Sequence, residues 1–228
     1  MNFTHTAGYK FIPLDNLSDL RAQLKQSCHD LQLKGTILLS SEGINVMLAG
    51  IPKAITSIQK RLNKYVGEMR FRETPTEIQP FQKMVVKLKK EIISMGAPGL
   101  LREQAPAPRI TAQELKQWLD ENRDVVLLDT RNNYEVEAGT FENAVDPQIK
   151  HFRHFPEAIK RLDPALKEKT VVTFCTGGIR CEKAGLALQQ EGFKNVYQLD
   201  GGILRYFDEC GQTHYKGKCF VFDERIAE

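Results

Sequence analysis

Apolar residues recur at three- and four-residue spacing in two stretches within the first ninety residues, which is the spacing of amphipathic helices. The first helix is predicted to start after a cap at Asn16 or Ser18, with apolar positions at Leu17, Leu20, Leu24, Cys28 and Leu31. The second is predicted to open at Pro52, with apolar positions at Ala54, Ile55, Ile58, Leu62 and Tyr65. Each helix therefore has one apolar face to bury.

Short apolar runs of strand-like composition alternate with these helices, at residues 9–14, 36–39, 44–48, around 69–72 and at Met84–Leu88. The runs at 36–39 and 44–48 flank a polar stretch in which Gly43 supplies a turn, so they are predicted to form a hairpin. The resulting order β-α-β-β-α-β predicts a ferredoxin-like α+β domain over residues 1–93, with both helices on one face of a small antiparallel sheet.

The composition changes after this domain. Residues 94–108, SMGAPGLLREQAPAP, show no helical or strand period and are predicted to belong to a linker at 94–109. A second domain is predicted over residues 110–228, and it opens with Thr111 and Glu114 at the spacing of a capping box. Continuous apolar runs at Val125–Asp129 and 171–175 are typical of strands buried on both faces. Their alternation with helices predicts a doubly wound parallel sheet.

The segment CTGGIR at residues 175–180 combines several features that activate a thiol. Cys175 follows a predicted buried strand, and ligands of open α/β sheets bind at the carboxyl ends of strands. Two adjacent glycines let successive backbone N–H groups point inward, and a helix N-terminus and an arginine add positive charge. Cys175 is therefore predicted to be an ionised nucleophile rather than a structural thiol. The residues predicted to stabilise its thiolate are Thr176, Gly177, Gly178, Ile179 and Arg180.

The four other cysteines have different predicted roles. Cys181 lies just past the loop and is predicted either to resolve an oxidised Cys175 by forming a disulfide or only to pack at a helix N-terminus. Cys28 falls on the apolar face of the first helix and is predicted to be a core residue. Cys210 and Cys219 lack the tight Cys-x-x-Cys spacing of zinc sites, so no metal is predicted there.

The overall composition narrows the class of protein but not its chemistry. The chain has 228 residues, of which 41% are hydrophobic and 27% charged, and this composition excludes wholesale disorder. The net charge of +3 leaves nucleic-acid binding open, because a local basic patch is enough to bind a polyanion. No apolar run reaches the roughly 18 residues of a membrane span, and the N-terminus has no secretion-signal pattern. A cytoplasmic protein with no membrane partner is therefore expected.

The stretch CTGGIR resembles the active-site loop of rhodanese domains, in which a cysteine opens a six-residue loop that holds a persulfide or another anion. The related dual-specificity phosphatases use a loop one residue longer, so the length here favours sulfur or redox chemistry. Upstream, LLDTRNNYEVEAGTFENA resembles the rhodanese segment with an aspartate, on which Asp129 and Arg131 fall as supporting residues. Thr140 and Phe141 stand where that segment usually has His and Ile.

Four separate motifs, KGTILLSSEGINVMLAG, NAVDPQIKHFRHFP, CTGGIRCEKA and KGKCFVFDERIA, resemble the rhodanese-related tRNA uridine(34) hydroxylases in the same order. That family pairs an N-terminal ferredoxin-like domain with a rhodanese domain. The resemblance implies oxygen-dependent hydroxylation at C5 of uridine 34 in the tRNA anticodon loop, with Cys175 as the family cysteine. It implies tRNA as the partner and molecular oxygen as a co-substrate. The sequence identifies no cofactor motif, no electron donor and no stable protein partner.

Two clusters are the predicted tRNA contacts, and each has an alternative interpretation. Odd-numbered lysines on one face of a predicted strand either bind phosphates or form a solvated charged face: Lys83, Lys87 and Lys89. A second cluster offers a ring and cationic neighbours for an extracted base, and consists of His151, Phe152 and Arg153. Its alternative is a loop whose phenylalanines anchor it to the core.

Three functional hypotheses follow from the residues taken together with the resemblance, which alone implies the uracil substrate. In the first, the Cys175 thiolate adds to C6 of uracil and activates C5 toward oxygen or a peroxide, while Arg180 and the loop N–H groups hold the developing charge. In a variant of this hypothesis, Cys175 is oxidised first and its oxygen is then transferred to the uracil. In the second, Cys175 carries a persulfide as a sulfurtransferase. In the third, the chain is an RNA- or protein-binding module with a relic loop.

Overall fold

The structure is a computed structural model in which residues 2–97, 100 and 106–221 are described. The chain divides near Ser94 into two compact units. Within the described ranges, no helix is long and apolar enough to cross a lipid bilayer. Residues 98, 99 and 101–105 of the predicted linker and the FDER motif lie outside the described residues.

The first unit is an open sheet with two helices: β1 (Phe3–Phe11), α1 (Leu17–Asp30), β2 (Lys34–Ser40), β3 (Gly43–Gly50), α2 (Pro52–Val66), β4 (Arg72–Thr76) and β5 (Met84–Leu88). The strand order is β4-β1-β3-β2-β5. All neighbours pair antiparallel except β2 and β5, which pair parallel. The predicted hairpin and the ferredoxin-like order are confirmed, and β5 adds a further strand at the edge.

Both helices of this unit pack on the same apolar cluster. Leu24 of α1 and Ile58 of α2 are fully buried in one cluster with Ile44 and Val46 of β3. Cys28 also lies in this cluster, so its predicted core position is confirmed. Burial raises the pKa of the Cys28 thiol to about 12, and the thiol is therefore inert near neutral pH.

Some sequence expectations for this unit need correction. The strand expected around residues 69–72 is β4, which lies further along the chain. β1 begins at Phe3 rather than near residue 9, because the buried polar residues Thr4 and Thr6 interrupt the apolar pattern on which the prediction rested. Tyr65 was expected on the apolar face of α2 but is 41% exposed. The buried stripe of α2 ends instead with Val66, which takes the last core position of that helix.

The second unit alternates strands and helices: β6 (Arg109–Ile110), α3 (Ala112–Asp120), β7 (Val125–Asp129), α4 (Asn133–Ala138), β8 (Gly139–Phe141), α5 (Phe155–Ile159), β9 (Thr170–Phe174), α6 (Ile179–Gln190), β10 (Asn195–Leu199), α7 (Gly202–Cys210) and β11 (Tyr215–Gly217). Short 3-10 helices span Phe152–His154 and Pro164–Glu168. The main sheet has the order β6-β10-β9-β7, and all its pairs are parallel. β8 and β11 form a separate antiparallel pair.

Helices cover both faces of the main sheet. Phe174 of β9 packs in one cluster with Leu115 of α3 and Ile203 of α7. The preceding residue, Thr173, points to the opposite face and contacts Cys181 of α6. The predicted doubly wound parallel sheet is therefore confirmed.

The second unit begins earlier than the predicted boundary at residue 110. Gln198 of β10 donates from Nε2 to the Ala107 carbonyl at 2.8 Å and from its N–H to the Pro108 carbonyl at 2.9 Å. Residues 107–109 are therefore packed on the sheet rather than free linker. The capping box that follows is confirmed, because the Thr111 side chain accepts from the Glu114 N–H at 3.2 Å and the Glu114 carboxylate accepts from the Thr111 N–H at 3.0 Å.

Candidate active site

Cys175 lies directly after β9, at the carboxyl end of a central strand. Its Sγ accepts a hydrogen bond from the Gly178 N–H at 3.1 Å and another from the Arg180 N–H. Gly178 has a φ of 92° and is the N-cap of α6, so the loop turns directly into the helix. The sulfur therefore lies in a nest of N–H groups at a helix N-terminus, where negative charge is stabilised.

The N-terminus of α7 holds the carbonyl groups of this loop. The Ile203 N–H donates to the Cys175 carbonyl at 2.9 Å, and the Leu204 N–H donates to the Thr176 carbonyl at 3.1 Å. Because these carbonyls are directed toward α7, the N–H groups that follow can face the sulfur. Gly202 has a φ of +68°, and a Cβ on it would lie 2.3 Å from the Cys175 carbonyl oxygen. This close approach requires glycine.

Gly202→Ala should therefore disturb the nest and reduce the reactivity of the Cys175 thiol. We expect alkylation of Cys175 near neutral pH to slow by about tenfold, because hydrogen bonds to a charged group are lost. Gly211→Ala is the matched control, since Gly211 also has a φ of +68° at the other end of α7 but no atom lies within 4 Å of an added Cβ. Equal slowing in both variants would show that backbone strain, and not the contact with the loop, is responsible.

Arg180 is held by a partner that the sequence did not reveal. Its Nη1 and Nη2 donate to the two carboxylate oxygens of Glu135, each at 2.7 Å, and both side chains are buried. Glu135 also accepts from the Thr176 hydroxyl at 3.4 Å. The predicted role of Arg180 in holding a developing charge stays a prediction. The guanidinium ties α4 to the loop, and Arg180 acts on Cys175 through its positive charge and its N–H group.

Only part of this arrangement had a signal in the sequence. Asn132 and Glu135 have the spacing of a capping box, and the Asn132 N–H donates to Glu135 at 3.2 Å. That spacing predicts the start of α4 but not a charge partner 45 residues further along the chain. The pairing depends on how α4 and α6 meet, which no local pattern encodes.

The Cys175 thiol is strongly acidified. Burial raises the pKa of this thiol, but the hydrogen bond from Cys181, the charge of Arg180 and the N–H groups of Arg180 and Gly178 together lower it to about 6. Burial and the neighbouring Cys175 hold the pKa of Cys181 well above its usual value. At neutral pH the pair therefore carries one proton, with the thiolate on Cys175.

Asp129 and Arg131 form a buried ion pair at the end of β7. Arg131 Nη2 donates to Asp129 Oδ2 at 2.6 Å and to the Gly139 carbonyl at 2.6 Å. Thr140 donates to the same carboxylate at 2.8 Å, and the Tyr215 hydroxyl donates to the Gly139 carbonyl at 2.7 Å. These contacts attach β8 and β11 to the end of the main sheet, which is a supporting role.

Cys219 is a further residue of this site. It is fully buried, and its side chain hydrogen-bonds to Thr176. Burial raises the pKa of Cys219 to about 12, so it is a neutral thiol beside the loop. Cys210 is half-buried on α7, and the His214 ring pairs with Asp120 at 2.8 Å. Among the residues that the structure describes, no group of three or more His, Cys, Asp or Glu side chains is arranged to hold a metal ion.

The residues predicted to contact tRNA do not share one environment. The basic ones are exposed, namely Lys83, Lys87, Lys89, His151 and Arg153. Phe152 is only 5% exposed, and its ring lies 5.7 Å from that of the buried Phe155. The stacking role predicted for Phe152 is therefore corrected in favour of the alternative, a loop anchored by its phenylalanines.

Tyr134 is an exposed aromatic residue in the first turn of α4. It is 42% exposed, and its ring makes an edge contact with that of Phe220 at a centroid distance of 5.3 Å. Tyr134 adjoins Glu135 in the chain and Phe220 adjoins Cys219. Glu135 and Cys219 both contact Thr176 of the loop.

Comparison with known proteins places this site in a family. Residues 3–92 match the family described as UPF0176 acylphosphatase like domain, and residues 111–209 match the rhodanese-like domain. Curated relatives from Cupriavidus necator and Thiobacillus denitrificans are each 48% identical to this chain over its whole length, and the chain covers 83% and 94% of them. Both relatives carry the name tRNA uridine(34) hydroxylase. This chain belongs to the tRNA uridine(34) hydroxylase family.

Membership of this family confirms the resemblance that the four sequence motifs indicated. The two matched regions correspond to the two halves of that family, the ferredoxin-like and the rhodanese-like one. Among solved structures, the solution structure of the rhodanese-like domain of an Anabaena protein is 22% identical, covers 48% of this chain and 79% of that domain, and gives a TM-score of 0.41.

Proposed function

We propose that this chain hydroxylates uridine 34 of tRNA, the activity for which its relatives are named. The observation that carries this conclusion is the 48% identity that runs through both units, since a rhodanese unit alone would equally suit sulfur transfer. The site contributes the reactive group that such a modification needs, because Cys175 is a thiolate in a nest of hydrogen-bond donors.

The proposed chemistry starts with addition of the Cys175 thiolate to C6 of uracil. An S–C6 bond forms, and the electron pair of the C5–C6 double bond moves toward C5 and the C4 carbonyl. C5 then attacks a peroxide-level oxygen and gains the hydroxyl group. Loss of the C5 proton and of the thiolate restores the double bond and leaves 5-hydroxyuridine. Molecular oxygen is the proposed oxygen source, with two electrons from an external donor reducing its second atom to water.

The base is proposed to reach the sulfur over Gly177. Cys175 is 1% exposed, whereas Gly177 is exposed and a Cβ on it would meet no atom within 4 Å. An extracted base gains free energy from stacking on an aromatic ring, and the exposed Tyr134, next in the chain to the Arg180 partner Glu135, is proposed to supply that ring. The exposed basic residues named above are proposed to contact backbone phosphates.

Mass spectrometry of tRNA nucleosides from cells with and without the gene tests this function directly. Deletion should remove 5-hydroxyuridine and its derivatives, and restoring the gene should return them. Thiosulfate-to-cyanide sulfur transfer by the purified protein tests the alternative. Unchanged nucleosides together with rapid sulfur transfer would identify a sulfurtransferase. Unchanged nucleosides together with a Cys175 that resists alkylation would indicate a binding module.

The reactivity of Cys175 should depend on pH with a midpoint at about 6, the pKa to which its surroundings lower the thiol. Only the thiolate is alkylated, so labelling by iodoacetamide should fall about tenfold per pH unit below the midpoint and level off above it. Peptide mass spectrometry identifies the labelled residue. Cys28 and Cys219 serve as internal references, since burial raises their pKa to about 12 and they should stay unlabelled. A midpoint above about 8 would contradict the acidified thiol.

A further inference from the structure

We propose that the outer face of α2 in the first unit binds the phosphate backbone of tRNA. The proposal deepens the proposed function and rests on it for tRNA as the substrate, to which it adds a surface that holds this substrate. Three lysines form the surface, which we call the basic stripe: Lys53, Lys60 and Lys64. They are distinct from the basic residues proposed above to contact tRNA.

The geometry of α2 places the three lysines in one line. Because an α-helix turns by about 100° and rises by about 1.5 Å per residue, residues 53, 60 and 64 lie within about 40° of one another around the axis and extend over about 16 Å. All three are exposed. The opposite face of α2 is fixed in the core of the unit by Ala54, Ile55, Ile58, Leu62 and Val66. The basic stripe is therefore held toward the solvent.

No acidic side chain of α2 compensates the basic stripe. The helix has the sequence PKAITSIQKRLNKYV, without Asp or Glu, and Arg61 adds a fourth positive charge next to Lys60. Within the described ranges, none of the stripe lysines forms an ion pair. Three lysines of the second unit do form such pairs, namely Lys116 with Asp120, Lys169 with Asp124 and Lys194 with Glu168. An uncompensated line of positive charge attracts a polyanion more strongly than neutralised pairs do.

The charge of the whole chain is divided unevenly in the same direction. Residues 1–94 have 14 Lys and Arg against 8 Asp and Glu, a net charge of +6, whereas residues 95–228 have 18 against 21, a net charge of −3. The half of the chain with Cys175 therefore does not attract a polyanion by its net charge. In the first unit, α1 has two basic and two acidic residues, so the excess of positive charge among its helices lies on α2. Because phosphate contacts supply much of the affinity of a protein for nucleic acid, α2 is a source of that affinity.

The structure of α2 favours RNA over a membrane surface as the partner. A helix that binds anionic lipids inserts its apolar face at the boundary of the acyl chains, but the apolar face of α2 is already buried in the protein. Lysines in a line on a fixed helix instead match the regular row of charges along a nucleic-acid backbone. Tyr65, which follows Lys64 in the chain, is 41% exposed and adds a hydroxyl group that can donate to phosphate.

The test is the salt dependence of binding of unfractionated tRNA by the purified wild type and by the triple variant Lys53→Gln, Lys60→Gln and Lys64→Gln. Each lost phosphate contact lowers the slope of log K against log salt concentration by about 0.7–0.9, so the slope should fall by about 2–3. The dissociation constant at about 0.15 M salt should rise at least about tenfold. Glutamine has a helix propensity close to that of lysine, so the variant should fold. If it does not, Lys60→Gln alone should lower the slope by about one.

The matched control has the same change of net charge in the second unit, at lysines that carboxylates already neutralise: Lys116→Gln, Lys169→Gln and Lys194→Gln. Its slope and dissociation constant should stay close to those of the wild type. Equal weakening in the two triple variants would show that only the net charge matters and would overturn the proposal. Unchanged tRNA binding by the folded stripe variant would overturn it too. So would stripe-dependent binding of the wild type to phosphatidylserine vesicles in preference to tRNA.

Two further readouts separate the basic stripe from the catalytic site. In the stripe variant, the KM for tRNA should rise while kcat and the pH dependence of Cys175 alkylation stay unchanged. Binding is measured without turnover, so the stripe and the proposed function fail separately. Stripe-dependent tRNA binding together with unchanged nucleosides after gene deletion would reject only the hydroxylation. Loss of 5-hydroxyuridine after deletion together with wild-type tRNA binding by the stripe variant would reject only the stripe.

Discussion

Replacing Cys175 by serine is expected to abolish formation of 5-hydroxyuridine, with a loss of at least about 10³-fold in rate. The pKa of Cys175 is lowered to about 6, so its sulfur is ionised at neutral pH, whereas a serine hydroxyl in the same loop stays protonated. Nucleophilic addition and transfer of oxygen through the sulfur both begin with this atom, so the substitution stops both routes. The measurement is nucleoside mass spectrometry of tRNA from cells that carry only the variant.

Cys210→Ser is the matched control for this substitution. Cys210 is a half-buried free thiol at the last position of α7, and the nest is held by the opposite end of that helix. Its serine variant should hydroxylate tRNA at the wild-type rate. Retention of full 5-hydroxyuridine formation by Cys175→Ser would eliminate every mechanism in which this sulfur reacts.

Glu135→Gln is expected to cause the largest loss of stability. The carboxylate is fully buried and binds both ends of the Arg180 guanidinium at 2.7 Å. Removing one charge of a buried ion pair costs about 3–5 kcal/mol, because the remaining charge loses its compensation away from water. The midpoint of thermal unfolding should fall by on the order of 10 °C. Differential scanning calorimetry measures this change.

Glu137→Gln is the matched control, because it distinguishes loss of the ion pair from a general effect of replacing Glu by Gln. Glu137 is exposed on the same short helix, so its replacement should change the free energy of unfolding by less than about 0.5 kcal/mol. Similar melting of the two variants would mean that the pair with Arg180 does not stabilise the fold. A large difference between them, with slower Cys175 alkylation only in Glu135→Gln, would link the ion pair to the loop.

Local patterns predicted the elements whose apolar residues follow a clear period. The helices α1 and α2 and the strands β7 and β9 were found because burial of one face or of both faces leaves a regular signal. The start of β1 was missed because Thr4 and Thr6 are polar yet buried. Tyr65 was misplaced because an aromatic residue at the edge of an apolar stripe fits either environment equally well.

The candidate site likewise has one part that the sequence predicted and another part that it did not. The Cys175 loop was predictable because the cysteine, the two glycines and the helix start are neighbours in the chain, and neighbours in the chain are neighbours in space. Glu135, Cys219 and Gly202 join the loop from three other parts of the chain, and their contacts depend on how those parts pack. The sequence left undecided whether Phe152 is exposed or buried, for the same reason.

By itself, the sequence determined that two domains exist, that the second is a parallel sheet with helices on both faces, and that one cysteine opens a loop built for an anion. These properties are encoded in residue spacing, which acts over one turn of helix or a few residues of strand. Only the tertiary structure decided which charge pairs with Arg180, which helix binds the carbonyl groups of the loop, and that Phe152 is buried. Those outcomes depend on residues far apart in the chain, since hydrogen bonds and burial act at a few ångströms in space whatever the distance along the sequence.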